Sequence, residues 1–151
     1  MSALVEPAVV LERVTLCRGA RTILSEIDVR LPRGSVTAVL GPSGAGKSTL
    51  LYSVVGELMA ASGIVRVLGQ TLPCASAASL FKLRRKMGVM LQGNGLLTDL
   101  NVFENVALPL RTHTDLPEAM IAELVHMKLA AVGLGEAGAL ETNELSGGMA
   151  R

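Results

Sequence analysis

The sequence predicts an α/β fold with an antiparallel β part, a partial parallel core sheet and a helical part. Residues 23–31 alternate, Ile27, Val29 and Leu31 standing against Asp28 and Arg30, as a half-buried antiparallel strand does. The apolar, β-branched run 35–40 leads through "GPSGAGKST", residues 41–49, directly into helical spacing. Beyond residue 92 helical patterns take over.

In chain order, residues 9–16 are a first β-type run and 23–31 a second. "PRG", residues 32–34, signals a turn, and 35–40 has the composition of an inner strand. A helix is predicted over 47–59, where Leu50, Leu51, Val54, Val55 and Leu58 recur at helical spacing. "SGIVRVLG" reads as a short strand, 79–86 as a helix with a basic face, and 87–91 as a strand ending at Gln92. Asn101, with Glu104 three places on, has capping-box spacing and opens a short helix that Pro109 helps to end. The longest helical pattern is 117–132, with Ile121, Leu124, Val125, Leu129 and Val132 on one side and Gly133 placed to stop it. The expected boundaries are 1–34 for the antiparallel part, 35–92 for the core, 93–144 for the helical part and 145–151 for a final motif.

Composition narrows the function classes. Lys plus Arg (14) nearly cancel Asp plus Glu (13), leaving no charge argument for nucleic acid as a partner. Aromatics make up 2%, Tyr52, Phe81 and Phe103, so base-stacking platforms are missing as well. Cys17 and Cys74 have no metal-ligand spacing and read as reduced cytosolic thiols. Glu57 interrupts the richest apolar segment, 50–59, before it approaches the roughly 18 residues of a membrane span. "MSALVEPAVV" lacks the basic, then apolar, layout of a secretory signal. "KLRRK", 82–86, reads as a solvated helix face, the seven methionines as core filler, and His113 and His126 as ordinary loop and helix residues.

Chemistry enters at the glycine loop. Gly41, Gly46, Lys47 and Ser48 satisfy GxxxxGK[ST] between an expected strand and a helix start, the setting of a phosphate-binding P-loop. Across Gly41, Pro42, Ser43, Gly44, Ala45 and Gly46 the backbone can turn successive N–H groups inward, and the new helix adds its positive end. Lys47 would reach the β- and γ-phosphates as a mobile charge. Ser48 would ligate the Mg²⁺ that bridges them, and Thr49 supplies at most a supporting hydroxyl. Nucleotide kinases, GTPases, helicases and transport ATPases all fit so far. "LSGGM", 145–149, adds a second phosphate reader: Ser146 is a natural N-cap, and Gly147 and Gly148 expose their amides.

With both motifs in place, the chain resembles the ATP-binding cassette (ABC) family of P-loop ATPases, whose signature is usually LSGGQ. The resemblance implies that Ser146, Gly147 and Gly148 close over ATP and Mg²⁺ held by the P-loop of a second copy. It also makes Gln92 the Q-loop glutamine, touching Mg²⁺ and the attacking water while its loop senses a membrane permease subunit. "LLTDLNVFENVALPLRTHTDLP", residues 96–117, and "ELSGGMAR", 144–151, are similar to the ATPase of the bacterial Mla-type phospholipid transporters, also known from toluene-tolerance systems, where Met149 is expected. That narrower resemblance implies phospholipid as cargo, a periplasmic lipid-binding component as an indirect partner, and a place on the cytoplasmic face of the inner membrane. Residues 96–111 would then lie near the groove for the permease's coupling helix.

The chain departs from the family pattern twice. Where the family commonly stacks an aromatic on adenine, "LCRGAR" offers Arg18, whose guanidinium plane can stack instead. The sequence also stops at Arg151, before the family's Walker B aspartate, water-activating glutamate and switch histidine. The expectation is therefore a piece of a longer ATPase that lacks the C-terminal part of the fold, hydrolyses little ATP alone, and leaves apolar strand edges exposed. Two other classes remain in view: a P-loop kinase, which would need a lid and an acceptor pocket rather than "LSGGM", and a nucleotide-binding module without turnover.

Overall fold

The structure, a computed structural model, describes residues 6–90, 93 and 95–151, which divide into two compact units, one up to Gly88 and one from Val89 onward.

In the first unit, β1 (Val9–Arg18), β2 (Arg21–Leu31), β3 (Ser62–Val67) and β4 (Gln70–Leu72) form an antiparallel sheet in the order β2-β1-β3-β4. β1 is a central strand, and an irregularity lets it serve one core along its whole length. Its residues in the apolar core begin on odd positions, Val9 and Leu11, and continue on even ones, Val14 and Leu16. The parity changes at Arg13, which takes a positive φ of 48° and whose N–H donates to Asp28 Oδ1 at 3.0 Å. From Leu11↔Val29 to Val14↔Ile27, β1 advances three residues against two on β2, the count of a bulge. Val9, Leu11, Val14 and Leu16 join Val65, Val67 and Leu83 in one apolar cluster.

β4 was not anticipated from the sequence. It forms because Leu68 and Gly69 both hold positive φ, 48° and 81°, the backbone of a two-residue hairpin turn with the twist of its strands. The antiparallel part therefore extends beyond the first two strands to include residues 62–72.

α1 (Lys47–Val54) stops earlier than its apolar spacing suggests, because Gly56 turns to φ 72° and the chain leaves the helix there. Leu50 and Val54 pack on the sheet, whereas Leu51 is 43% exposed. α2 (Ala77–Arg84) starts at Ser76, whose Oγ accepts the Ser79 N–H at 3.2 Å. Two expected inner strands are corrected. Residues 35–40 and 87–90 form no ladder, and Val36 and Leu40 are almost wholly exposed; Leu91 lies outside the described residues. β-branched composition favours extended backbone, but a strand exists only where a neighbour exchanges N–H···O bonds with it, and no described residue pairs with either segment.

The second unit is built on α3 (Val102–His113) and α4 (Glu118–Ala131), with a 3₁₀ turn at Thr142–Glu144 and a short α5 (Gly147–Ala150). Val102, Ala107, Ile121, Val125 and Leu129 are its core, with Val106 and Leu110 packed against them. Asn101 caps α3 as expected, its Oδ1 accepting the Glu104 N–H at 2.8 Å. Pro109, however, does not help to end α3, which runs four residues further. One proline deletes one amide donor; the apolar stripe Val102, Val106, Leu110 continues across it, and Thr114 N–H still reaches Leu110 O at 3.0 Å. Arg111 binds Glu104 and Glu118 together, with Nε 3.0 Å from Glu118 Oε1. These hydrogen bonds raise the Arg111 pKa and hold the Glu118 carboxyl below its ordinary value, against a smaller opposing desolvation. Gly133 ends α4 with φ 75°, and the N–H groups of Gly133 and Leu134 close on Ala130 O and Leu129 O. Among the described residues no helix is long and apolar enough to cross a membrane.

Candidate nucleotide-binding site

The loop at residues 41–46 is shaped by its backbone. The Ala45 N–H donates to Pro42 O at 3.2 Å, making a turn, and Gly46 then adopts φ 92° as the N-cap of α1. Only glycine fits there. A Cβ on Gly46 would stand 2.9 Å from Ile23 Cγ2 and 3.0 Å from Leu24 Cγ, so the loop is pressed onto β2. No side chain caps the helix start, and the first-turn amides, which have no intrahelical acceptor, are left to a ligand or water. The Leu50 N–H closes the first helical bond, on Gly46 O at 2.9 Å.

Lys47 curls back over this loop. Its Nζ donates to Gly41 O and to Pro42 O, each at 2.7 Å, so the ammonium is held at the loop mouth. Ser43, Gly44 and Ser48 are exposed, whereas Thr49 is buried, its side chain turned into the unit. An exposed loop, a helix start without a cap and a tethered lysine together form an anion receptacle. Among the described residues no group of three or more His, Cys, Asp or Glu could hold a metal.

Beside α1, the Arg18 guanidinium carbon lies 5.4 Å from the centroid of the Tyr52 ring, so the two side chains stack on the same flank of the helix. Nothing in their spacing pairs them, since they stand 34 positions apart. Arg84, counted there as part of a solvated basic run, instead points its guanidinium at the far end of α1.

In the second unit, Ser146 caps α5 by accepting the Met149 N–H at 3.3 Å, with Gly147 and Gly148 in the exposed first turn. The structure thus brings Arg18 and residues 41–49 into one unit and places Ser146, Gly147 and Gly148 in the other. Gln92 lies outside the described residues.

A glycine loop running into the first turn of a helix on an α/β frame defines a P-loop nucleoside triphosphatase fold. Residues 24–151 match the family described as ABC transporter, and the chain belongs to that family. It is 45% identical over 140 residues to the intermembrane phospholipid transport system ATP-binding protein MlaF of Haemophilus influenzae, covering 93% of this chain and 53% of that protein. Against MlaF of Escherichia coli K12 it is 46% identical over 138 residues, 91% of this chain and 51% of that protein. The probable ribonucleotide transport ATP-binding protein mkl of Mycobacterium bovis is 38% identical over 131 residues, 87% and 36%. The chain therefore spans about half the length, or less, of these curated relatives. Two solved structures share its fold at 27% identity. One is the dimeric post-hydrolysis state of an ATP-binding cassette bound to ADP and Pi (TM-score 0.84, 94% of this chain, 65% of that one). The other is cbiO1 from Clostridium perfringens, part of the ABC transporter complex cbiONQ (TM-score 0.83, 96% and 58%).

Proposed function

We propose that the chain is the nucleotide-binding part of an ABC ATPase that binds and hydrolyses ATP to drive phospholipid transport through a membrane permease. The observation that carries the reading is the helix start at Lys47: a left-handed glycine, no side-chain cap and a lysine held by two loop carbonyls. In this reading the amides from Gly41 to Ser48 grip the terminal phosphates, and Lys47 exchanges its two carbonyl partners for phosphate oxygens. The exposed Ser48 hydroxyl and Gln92 would hold Mg²⁺, which when bound neutralises charge on the phosphate oxygens. Arg18, stacked beside Tyr52, offers its plane to adenine. Ser146, Gly147 and Gly148 complete the site of a second copy, as the dimeric state of the ADP-bound relative supports. Cargo follows the MlaF relatives, with a periplasmic lipid carrier beyond the permease and the ATPase peripheral on the cytoplasmic face of the inner membrane. The lower identity to mkl keeps a second cargo, a ribonucleotide, as the alternative.

The test is MgATP binding and turnover by the protein and by its Lys47→Ala variant. The reading expects affinity to fall about 30-fold or more and hydrolysis to be lost. Phosphate transfer to an added small-molecule acceptor, or binding indifferent to Lys47, contradicts it.

A further inference from the structure

α1 has eight residues, and its two ends are treated differently. At the first turn the amides are left to phosphate. At the last turn the carbonyls of Leu51, Tyr52 and Ser53 are taken by backbone amides of residues 55–58, which leaves the carbonyls of Val55 and Gly56, where the chain exits the helix, to a donor from elsewhere; no basic residue of α1 itself stands there. The donor comes from 28 and 29 residues further along the chain: Arg84, the last residue of α2, places Nε 3.1 Å from Val55 O and Nη2 3.2 Å from Gly56 O. A planar guanidinium fork suits two successive carbonyls, and its charge complements the negative end of the helix. Both bonds are part-buried, so they are weakly screened.

Ser53 and Val55 are buried, but packing leaves one side of this end open. It borders a cavity of about 240 Å³ lined by Ser53, Gly56, Leu58, Leu72, Cys74 and Leu80, and a helix end beside a void lacks close contacts on that side. Gly56 draws the exit of α1 close to α2, since a Cβ there would stand 2.9 Å from Leu80 Cδ1. The backbone bonds from Gly56 N–H to Ser53 O and from Glu57 N–H to Tyr52 O close this end on itself, and the two Arg84 bonds tie it to α2. Two turns of helix are stiff, so the place of the last turn sets the place of the first.

We propose that Arg84 is a positioning residue for the nucleotide site: by holding the C-terminal end of α1 it sets where the Lys47 and Ser48 amides meet the phosphates. Arg84 itself touches no nucleotide. The proposal rests on the P-loop reading above, and the experiment separates the two. In the full chain, Arg84→Gln, Arg84→Lys and Lys47→Ala are compared for MgATP affinity by calorimetry, for amide chemical shifts of Gly46, Lys47 and Ser48 without nucleotide, and for melting midpoint without nucleotide. Arg84→Gln is expected to weaken MgATP about tenfold and to shift those three amides, and Arg84→Lys to recover part of both, since an ammonium still reaches one carbonyl. A lowered midpoint with unchanged affinity and unmoved P-loop amides means Arg84 only stabilises the fold, and overturns the proposal. Should Arg84→Gln fail to fold, Arg84→Lys carries the same test: a smaller loss of affinity with the amides displaced supports it, and no change in either sinks it. If Lys47→Ala binds MgATP normally, the P-loop reading fails and takes this proposal with it. If Lys47→Ala loses binding while both Arg84 variants keep it, only the positioning role falls.

Discussion

The helices that start at Lys47 and at Val102 treat the same unpaired first-turn amides in opposite ways. Asn101 closes the start of α3 with its own side chain, at 2.8 Å, while Gly46 opens the start of α1 by turning left-handed and offering none. One start serves the stability of its unit; the other leaves donors uncommitted and relies on Lys47 to cover the loop. α5 lies between the two, capped by Ser146 but through a longer bond of 3.3 Å, with two glycines behind it. Openness at a helix end is therefore a local choice of residue, and it marks where a ligand's oxygens can replace a side chain.

The contrast is sharpened by changes that damage one region and spare the other. The largest effect is expected from Ile121→Ala, a 2%-exposed residue in the α3–α4 core, which should destabilise the helical unit by about 3 kcal/mol in chemical denaturation while MgATP affinity stays within about twofold. Gly46→Ala comes next. Its Cβ meets Ile23 and Leu24 at 2.9–3.0 Å from a left-handed backbone, so a loss of about 2 kcal/mol should accompany a collapse of nucleotide affinity. Asn101→Ala removes a cap and should cost about 1 kcal/mol with no effect on nucleotide. Equal nucleotide loss in Asn101→Ala and Gly46→Ala would erase the distinction between the two starts.

Smallest is the pH response of the Arg111 cluster. Because its folded pKa is lowered, chiefly by the Arg111 hydrogen bond, Glu118 contributes stability that is present above the ordinary carboxylate pKa and lost as pH falls through the lowered one. Melting of the wild type at pH 7 and at about pH 3 should therefore differ more than melting of Glu118→Gln does, and 1 M salt should shrink the difference.

What could be read from the sequence follows the range of the interaction. β1, β2, β3, the Asn101 cap and α4 are set by alternation, spacing and residues within four places of one another, and all were legible. Residues 35–40 and 87–90 were not, because a ladder is decided by a neighbouring strand and their own apolar composition says only that they would accept one. Pro109 misled in the other direction: its local penalty is real, but the stripe Val102, Val106, Leu110 packing onto α4 outweighs it. At the site, the loop and the helix after it were written in "GPSGAGKST". The Arg18–Tyr52 stack and the Arg84 bonds to Val55 and Gly56 join residues far apart in the chain, and only the folded sheet brings them to α1.

The central claim is that the bend before α1 receives the terminal phosphates of a nucleotide. Titrating the ¹⁵N-labelled protein with MgATP, and in parallel with adenosine, tests it at the amides themselves. The account predicts large, saturable shifts at Gly44, Gly46, Lys47 and Ser48 with MgATP and none of that size with adenosine; amides that stay still, or that respond alike to both, would contradict it.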